Sequence, residues 1–211
     1  VLALEAAREI RSDDFIHDPS NPVPSRGGPL CCTGDPNQRS GPVDQRDVET
    51  RKDVLVYTSA PLQEPLRIVG KLSAQLVVSS TAPDTDFVAR LVHVWPDGRA
   101  TNIQEGALRA RYRDGVERPS LMSPGQRYVH DVPMRSTAYL VPRGHRIRLD
   151  ISSSSFPRLE RNLGTGGRNY DESIPSKALN RIFHGGDAVS FVEIPVLDLP
   201  VPEEKPFAGP R

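Results

Sequence analysis

Between Ile68 and Val78 apolar and small residues recur at every second position. Ile68, Gly70, Leu72, Ala74, Leu76 and Val78 fall on one face, and Lys71, Ser73, Gln75 and Ser79 on the other. A period of two sends alternate side chains to opposite sides of an extended chain, so this stretch reads as a β-strand with one face in a core. Related patterns recur on both sides of it. Val54-Leu55-Val56-Tyr57 is a short apolar run suited to a buried strand. Phe87 to Trp95 is stopped by Pro96-Asp97-Gly98, a strong turn signal. Leu108, Ala110 and Tyr112 alternate with Arg109, Arg111 and Arg113, and Ile147, Leu149 and Ile151 alternate with Arg146, Arg148 and Asp150. Tyr128 to Met134 follows Pro124-Gly125, and the runs Leu179 to Phe183 and Val189 to Val196 flank Gly185-Gly186-Asp187 like the arms of a hairpin. The 21 Pro and 16 Gly are spread along the chain and punctuate these runs.

Eight or more strands with turn signals between them, and no amphipathic helix, predict an all-β fold. The expected architecture is an antiparallel β-sandwich of the jelly-roll type over residues 54–200. Residues 1–53 are turn-rich and read as an extended arm with one short strand around Phe15, and 201–211 as a tail. Leu72, Leu76, Leu91, Leu149 and Ile151 are the expected core.

Function has to be argued largely by exclusion. Lys+Arg and Asp+Glu are both 27, which gives no support for binding nucleic acid or an anionic membrane. No apolar run approaches the ~20 residues a membrane-crossing helix needs. The first residues, starting at Val1, have neither an initiator Met nor the pattern of a signal peptide, which suggests a piece of something longer. Cys31 and Cys32 are adjacent, and neighbours rarely reach disulfide geometry. The secretory route is therefore neither required nor excluded, with the cytoplasm favoured.

No Gly-x-Ser-x-Gly elbow, His-Glu-x-x-His, paired Cys-x-x-Cys or phosphate loop occurs. His17, His93, His130, His145 and His184 lie far apart in sequence and read as ordinary strand or turn residues. Ser152-Ser153-Ser154-Ser155 has no flanking base to activate a hydroxyl and reads as a strand end. Asp84-Thr85-Asp86 could offer oxygens to calcium, but a charged turn explains it equally well. The stripe Arg109, Arg111, Arg113 reads as a solvated or salt-bridged face. The expectation is thus no catalytic residue, metal or cofactor in this chain.

Several stretches, in order, resemble the C-terminal domain of the cocaine-esterase/Xaa-Pro dipeptidyl-peptidase group of serine hydrolases. They begin with Asp18-Pro19-x-x-Pro22-Val23-Pro24-x-x-Gly27-Gly28, Gly41-Pro42-x-Asp44-Gln45-Arg46 and Asp53-Val54-Leu55-x-Tyr57. Asp84-Thr85-Asp86-Phe87, Val94-x-Pro96-Asp97-Gly98 and Gly106-x-Leu108-Arg109-x-Arg111-Tyr112-Arg113 follow. Gly144-His145-Arg146-Ile147, Ser152-Ser153-x-x-Phe156-Pro157 and Arg161-Asn162-x-Gly164-Thr165-Gly166 complete the series.

The resemblance implies a galactose-binding-like jelly roll packed on an α/β-hydrolase domain of the same parent protein. The Ser, His and Asp of that domain would lie upstream, so this chain alone would be inactive. The paired Gly27-Gly28 and Pro29 would push Leu30, Cys31 and Cys32 outward as a small apolar tip, the alternative being a thiol pair buried as small hydrophobes. The resemblance implies that this loop helps wall the acyl pocket, where other members carry larger apolar residues in place of Cys31 and Cys32. A sandwich deprived of its partner would leave an apolar face bare and open to homo-oligomer formation. The rival reading is a free-standing carbohydrate-binding module, which usually presents exposed aromatic platforms. Here Trp95 is the single Trp and aromatic residues make up 6% of the chain.

Overall fold

The computed structural model describes residues 2–30 and 38–198. Two antiparallel sheets account for almost all of the regular structure. The first contains β1 (Arg11–His17), β8 (Ala178–His184), β3 (Leu66–Ser80) and β6 (Tyr128–Val141) in that order, with β9 (Phe191–Glu193) also on β3. The second runs β2 (Leu55–Thr58), β7 (Arg146–Ser152), β4 (Asp86–Val94), β5 (Ala100–Arg109). A four-residue helix, α1 (Arg46–Glu49), interrupts the arm. Among the described residues no helix is long and apolar enough to cross a membrane.

The alternation in β3 does what its period requires. Ile68, Leu72, Ala74, Leu76 and Val78 are buried, while Val69 and Lys71 face outward. Leu72, Leu76, Leu91, Leu149 and Ile151 all join one core cluster between the sheets, together with Phe87 and Met134. Burying each such side chain contributes roughly 1.5–3 kcal/mol.

β4 breaks the half-buried pattern, since all of its residues are buried. Phe87, Ala89 and Leu91 enter the main core. The other face of this sheet is covered by the arm: Val23, Val48 and Val54 form a small second cluster against Val56 of β2.

Two sequence expectations need correction. The Leu179–Phe183 and Val189–Val196 runs do not form a hairpin. β8 pairs with Val77–Ser80 of β3 and β9 with Ser73–Gln75 of the same strand, both antiparallel. They run in one direction along one edge, so Gly185-Gly186 begins an excursion rather than a reversal. The Arg109/Arg111/Arg113 alternation also does not continue as strand. β5 ends at Arg109, and Ala110–Tyr112 form a 3₁₀ turn.

The two sheets come into close contact where β5 meets β6. A Cβ on Gly106 would lie 2.1 Å from the backbone oxygen of Pro133. Gly106→Ala is therefore expected to destabilise the fold by about 1–3 kcal/mol, the usual range for overpacking. Urea unfolding checks this, and a midpoint equal to that of the unaltered chain would rule out the close approach.

Candidate functional site: a loop with a stapled neck

The chain leaves the arm at Gly27 and Gly28 and returns at Gly41, and these three glycines make a narrow neck. All have positive φ, at 67°, 63° and 81°. Gly28 N donates to Gly41 O at 2.7 Å and Gly41 N to Gly28 O at 2.9 Å, a reciprocal antiparallel bridge. A Cβ on Gly27 would stand 2.4 Å from Gly41 O, so space and backbone conformation both demand glycine there.

Two buried amide side chains hold this neck to the sandwich. Asn102 of β5 donates from Nδ2 to Gly41 O at 3.2 Å, and its Oδ1 accepts from Val43 N at 2.8 Å. The same Oδ1 accepts from Gln45 Nε2 at 3.1 Å. Gln45, with no exposed surface, also donates to Arg26 O at 3.0 Å and Val43 O at 2.8 Å. One amide thus joins both sides of the neck. The backbone adds Gln45 N to Ala100 O at 2.7 Å. An open cleft of about 630 Å³ lies beside the neck, with Arg26, Arg39, Val43 and Asp44 in its wall.

Of the three expected tip residues, Leu30 is only 4% exposed, so its side chain is tucked in rather than presented outward. It lies two residues beyond the bridge, where Leu30 N still turns back to Gly27 O. Cys31 and Cys32 lie outside the described residues.

Below the neck the arm is laced to the second sheet through the serine run. Val23 N donates to Ser154 Oγ at 2.7 Å, and Ser25 Oγ meets Ser155 Oγ at 3.0 Å. Ser153 Oγ accepts from Asn180 Nδ2 at 2.7 Å. These hydroxyls are buried structural links, in keeping with a strand end. Ser155 Oγ continues to Glu105 Oε1 at 3.2 Å. Glu105 sits between Arg90 and Arg158, bonded to Arg90 Nε at 2.6 Å and in a close ion pair with Arg158. Burial pushes the Glu105 carboxyl up, but the two guanidiniums outweigh it and its pKa is lowered.

Beside this trio lies Asp150, 2% exposed, whose two carboxylate oxygens have no hydrogen-bond partner among the described residues. Burial, then the charges of Glu49 and Glu105, push its pKa up to about 7 against the pull of Arg90 and Arg148.

The Asp84-Thr85-Asp86 turn is occupied by cationic and amide donors. Arg111 Nε reaches Asp84 Oδ2 at 2.7 Å and Arg109 Nε reaches Asp86 Oδ1 at 2.8 Å. Asn162 Nδ2 bridges both carboxylates at 2.8 and 2.9 Å. The basic stripe is therefore largely a set of internal ion pairs.

The histidines are not all apart. The sheet brings His93 and His145 together, Nε2 to Nδ1 at 2.7 Å, with Tyr139 OH 3.0 Å from His93 Nδ1. Trp95 stacks on His93 at 4.6 Å and carries the Arg99 guanidinium 4.0 Å from its ring centre, so its ring is engaged from within the chain.

Sequence reasoning missed Asn102, Glu105 and Asp150. Each sits on the outer face of a sheet-two strand, where a polar residue reads as solvated until something is known to cover it. The signal was the fully apolar Phe87–Val88–Ala89 start of β4, which needs cover on both faces.

Comparison with known proteins gives a consistent result. The family described as the X-Pro dipeptidyl-peptidase C-terminal non-catalytic domain matches residues 12–193. A cocaine esterase from Rhodococcus sp. (strain MB1 Bresler) is 41% identical over 188 residues, which is 88% of this chain and 32% of the esterase. Among solved structures, an aminopeptidase from a marine sediment Thaumarchaeota archaeon superposes with a TM-score of 0.83 at 28% identity. That match covers 92% of this chain and 34% of the aminopeptidase. An α-amino acid ester hydrolase gives 0.78 at 27% identity, covering 88% of this chain and 32% of that one. The chain spans about a third of the length of each of these relatives.

Proposed function

Since the chain belongs to the X-Pro dipeptidyl-peptidase C-terminal non-catalytic domain family, we propose that it is the accessory sandwich of a serine hydrolase acting on ester or amide acyl bonds. In this reading it packs on the α/β-hydrolase domain of the same protein, and the loop closed by the Gly28–Gly41 bridge helps wall the acyl pocket. The observation that carries the proposal is the neck itself. A neck fixed by a reciprocal backbone bridge and two buried amides sets where the loop departs from the sandwich and where it returns.

The relatives named above are larger hydrolases of which this domain is one part, which supports a partner domain within the same protein. The outer face of the first sheet exposes Val69, Val129, Leu140 and Phe191, apolar surface suited to such packing or to self-association. The nine strands in two antiparallel sheets among the described residues agree with the jelly-roll, galactose-binding-like reading. The acyl bond would be cleaved by the Ser, His and Asp of the partner domain, through an acyl-enzyme.

With Leu30 tucked in, Cys31 and Cys32 become the residues proposed to meet the acyl group, leaving more room than larger apolar side chains would. The test is to replace Cys31 with Leu and Cys32 with Phe in the full-length hydrolase and compare kcat/KM for p-nitrophenyl acetate, butyrate and benzoate. The benzoate-to-acetate ratio is expected to fall about tenfold, near the low end of what a methylene-sized change in a pocket achieves. An unchanged ratio removes the loop from the site.

A further inference from the structure

We infer that Asn102 and Gln45 are positioning residues for acyl selectivity: a two-amide clamp that fixes where the pocket-walling loop leaves and re-enters the sandwich. The inference rests on the loop reading just proposed and adds the device that aims the loop. Its basis is the convergence on the neck of bonds from Asn102 on a rigid strand and from the buried Gln45 at the start of α1.

Asn102 lies on β5, paired to Val92 of the central, fully buried β4, so its Cα is anchored in the sandwich and not in the loop. From there Nδ2 holds Gly41 O, on the returning side, and Oδ1 holds Val43 N. Gln45 completes the clamp by reaching Arg26 O on the departing side. Without these two side chains, the bridge between Gly28 and Gly41 and the partly exposed Arg26–Asp47 ion pair would be left to join the two sides, and neither ties the neck to β5. The clamp fixes both sides of the neck to the sandwich as well as to each other. Gln45 Nε2 meets three acceptors and Asn102 Oδ1 meets two donors, so neither side chain can be exchanged for its acid without placing oxygen against oxygen.

The arm beneath is separately tied down through Ser25, Ser155 and Glu105, which makes the clamp the last fixed point before the loop.

The experiment uses the full-length hydrolase with Asn102→Ala, Asn102→Asp and Gln45→Glu, and Gln75→Ala on the far sheet as control. Hydrogen exchange is read at the amides of Gly28, Gly41 and Val43, and kcat/KM for the acetate, butyrate and benzoate esters. Asn102→Ala and Gln45→Glu are expected to raise exchange at Gly28 and Gly41 at least tenfold and to flatten the acyl-size ratio about fivefold. Amides of β3 and β4 should stay protected. Asn102→Asp keeps both acceptor bonds and loses only the one to Gly41, so Val43 should remain protected while Gly41 exchanges faster. If Asn102→Ala does not fold, this graded difference decides the matter. Unchanged exchange at Gly28 and Gly41 overturns the clamp, whatever the kinetics. Faster exchange with an unchanged size ratio overturns it too, and places the fault in the pocket-wall reading.

Discussion

Replacing Glu105 with Gln is expected to destabilise the domain by about 3–5 kcal/mol, the range for removing one partner from a buried ion pair. Arg90 is 3% exposed and Arg158 is mostly buried, and both direct their charge at this one carboxylate. Gln keeps the shape but takes away the charge that both guanidiniums bond, leaving Arg90 with the unbonded Asp150 nearby. The loss should therefore exceed that of either arginine alone. Adding Arg90→Leu to Glu105→Gln should recover part of it, because one stranded charge is removed and Val88 and Val92 on the same strand already provide apolar surroundings. Denaturant unfolding of the two singles and the double gives the coupling directly. Additive losses would mean that the trio does not act as a unit. Release of the arm would be visible in the same experiment, since Ser155 and Ser25 hang from the Glu105 carboxylate.

The sandwich was largely legible in the sequence, because its first sheet is buried on one face and such strands advertise themselves by period two. Ile68 to Val78 is the clearest case, and the five residues expected in the core are all there. The hairpin assigned around Gly185-Gly186 failed for an instructive reason. Turn chemistry reports a change of direction within a few residues, and β8 and β9 resume the same direction after a six-residue excursion, which local sequence does not encode. The neck was half legible. Gly27-Gly28 and Gly41 announced tight backbone, but pairing them across twelve intervening residues needs the contacts of Asn102 and Gln45. The His93–His145 pair needs the β4–β7 register, in which His93 lies opposite Ile147 and so close to the turn that carries His145.

The pH dependence of stability should show two limbs of opposite sign that single substitutions can separate. His130 is fully buried, neither ring nitrogen has a hydrogen-bond partner among the described residues, and its ring meets Phe87 edge-on. Burial first, then the Arg113 charge, lowers its pKa to about 4, with Asp114, Asp131 and Asp84 pulling weakly the other way. The unfolded chain binds this proton near the ordinary histidine value of 6.5 and the folded chain only near 4. Stability from this group is therefore complete above pH 6.5 and is lost as pH falls toward 4, by about 3 kcal/mol. Asp150 behaves in the reverse sense. Its unfolded carboxyl releases the proton near 3.8 and its folded one near 7, so stability falls as pH rises through that window, by roughly 4 kcal/mol at the alkaline end. Asp150→Asn cannot ionise, and it should stabilise the domain by roughly 2–4 kcal/mol at pH 8 and by little at pH 4. His130→Leu should flatten the acid limb and leave the alkaline one. Urea titrations of both variants at pH 4.5, 6 and 8 provide the check. A gain from Asp150→Asn that is equal at all three values would show that the carboxylate is no more strained charged than neutral. It would also show that Arg90 and Arg148 compensate its burial in full.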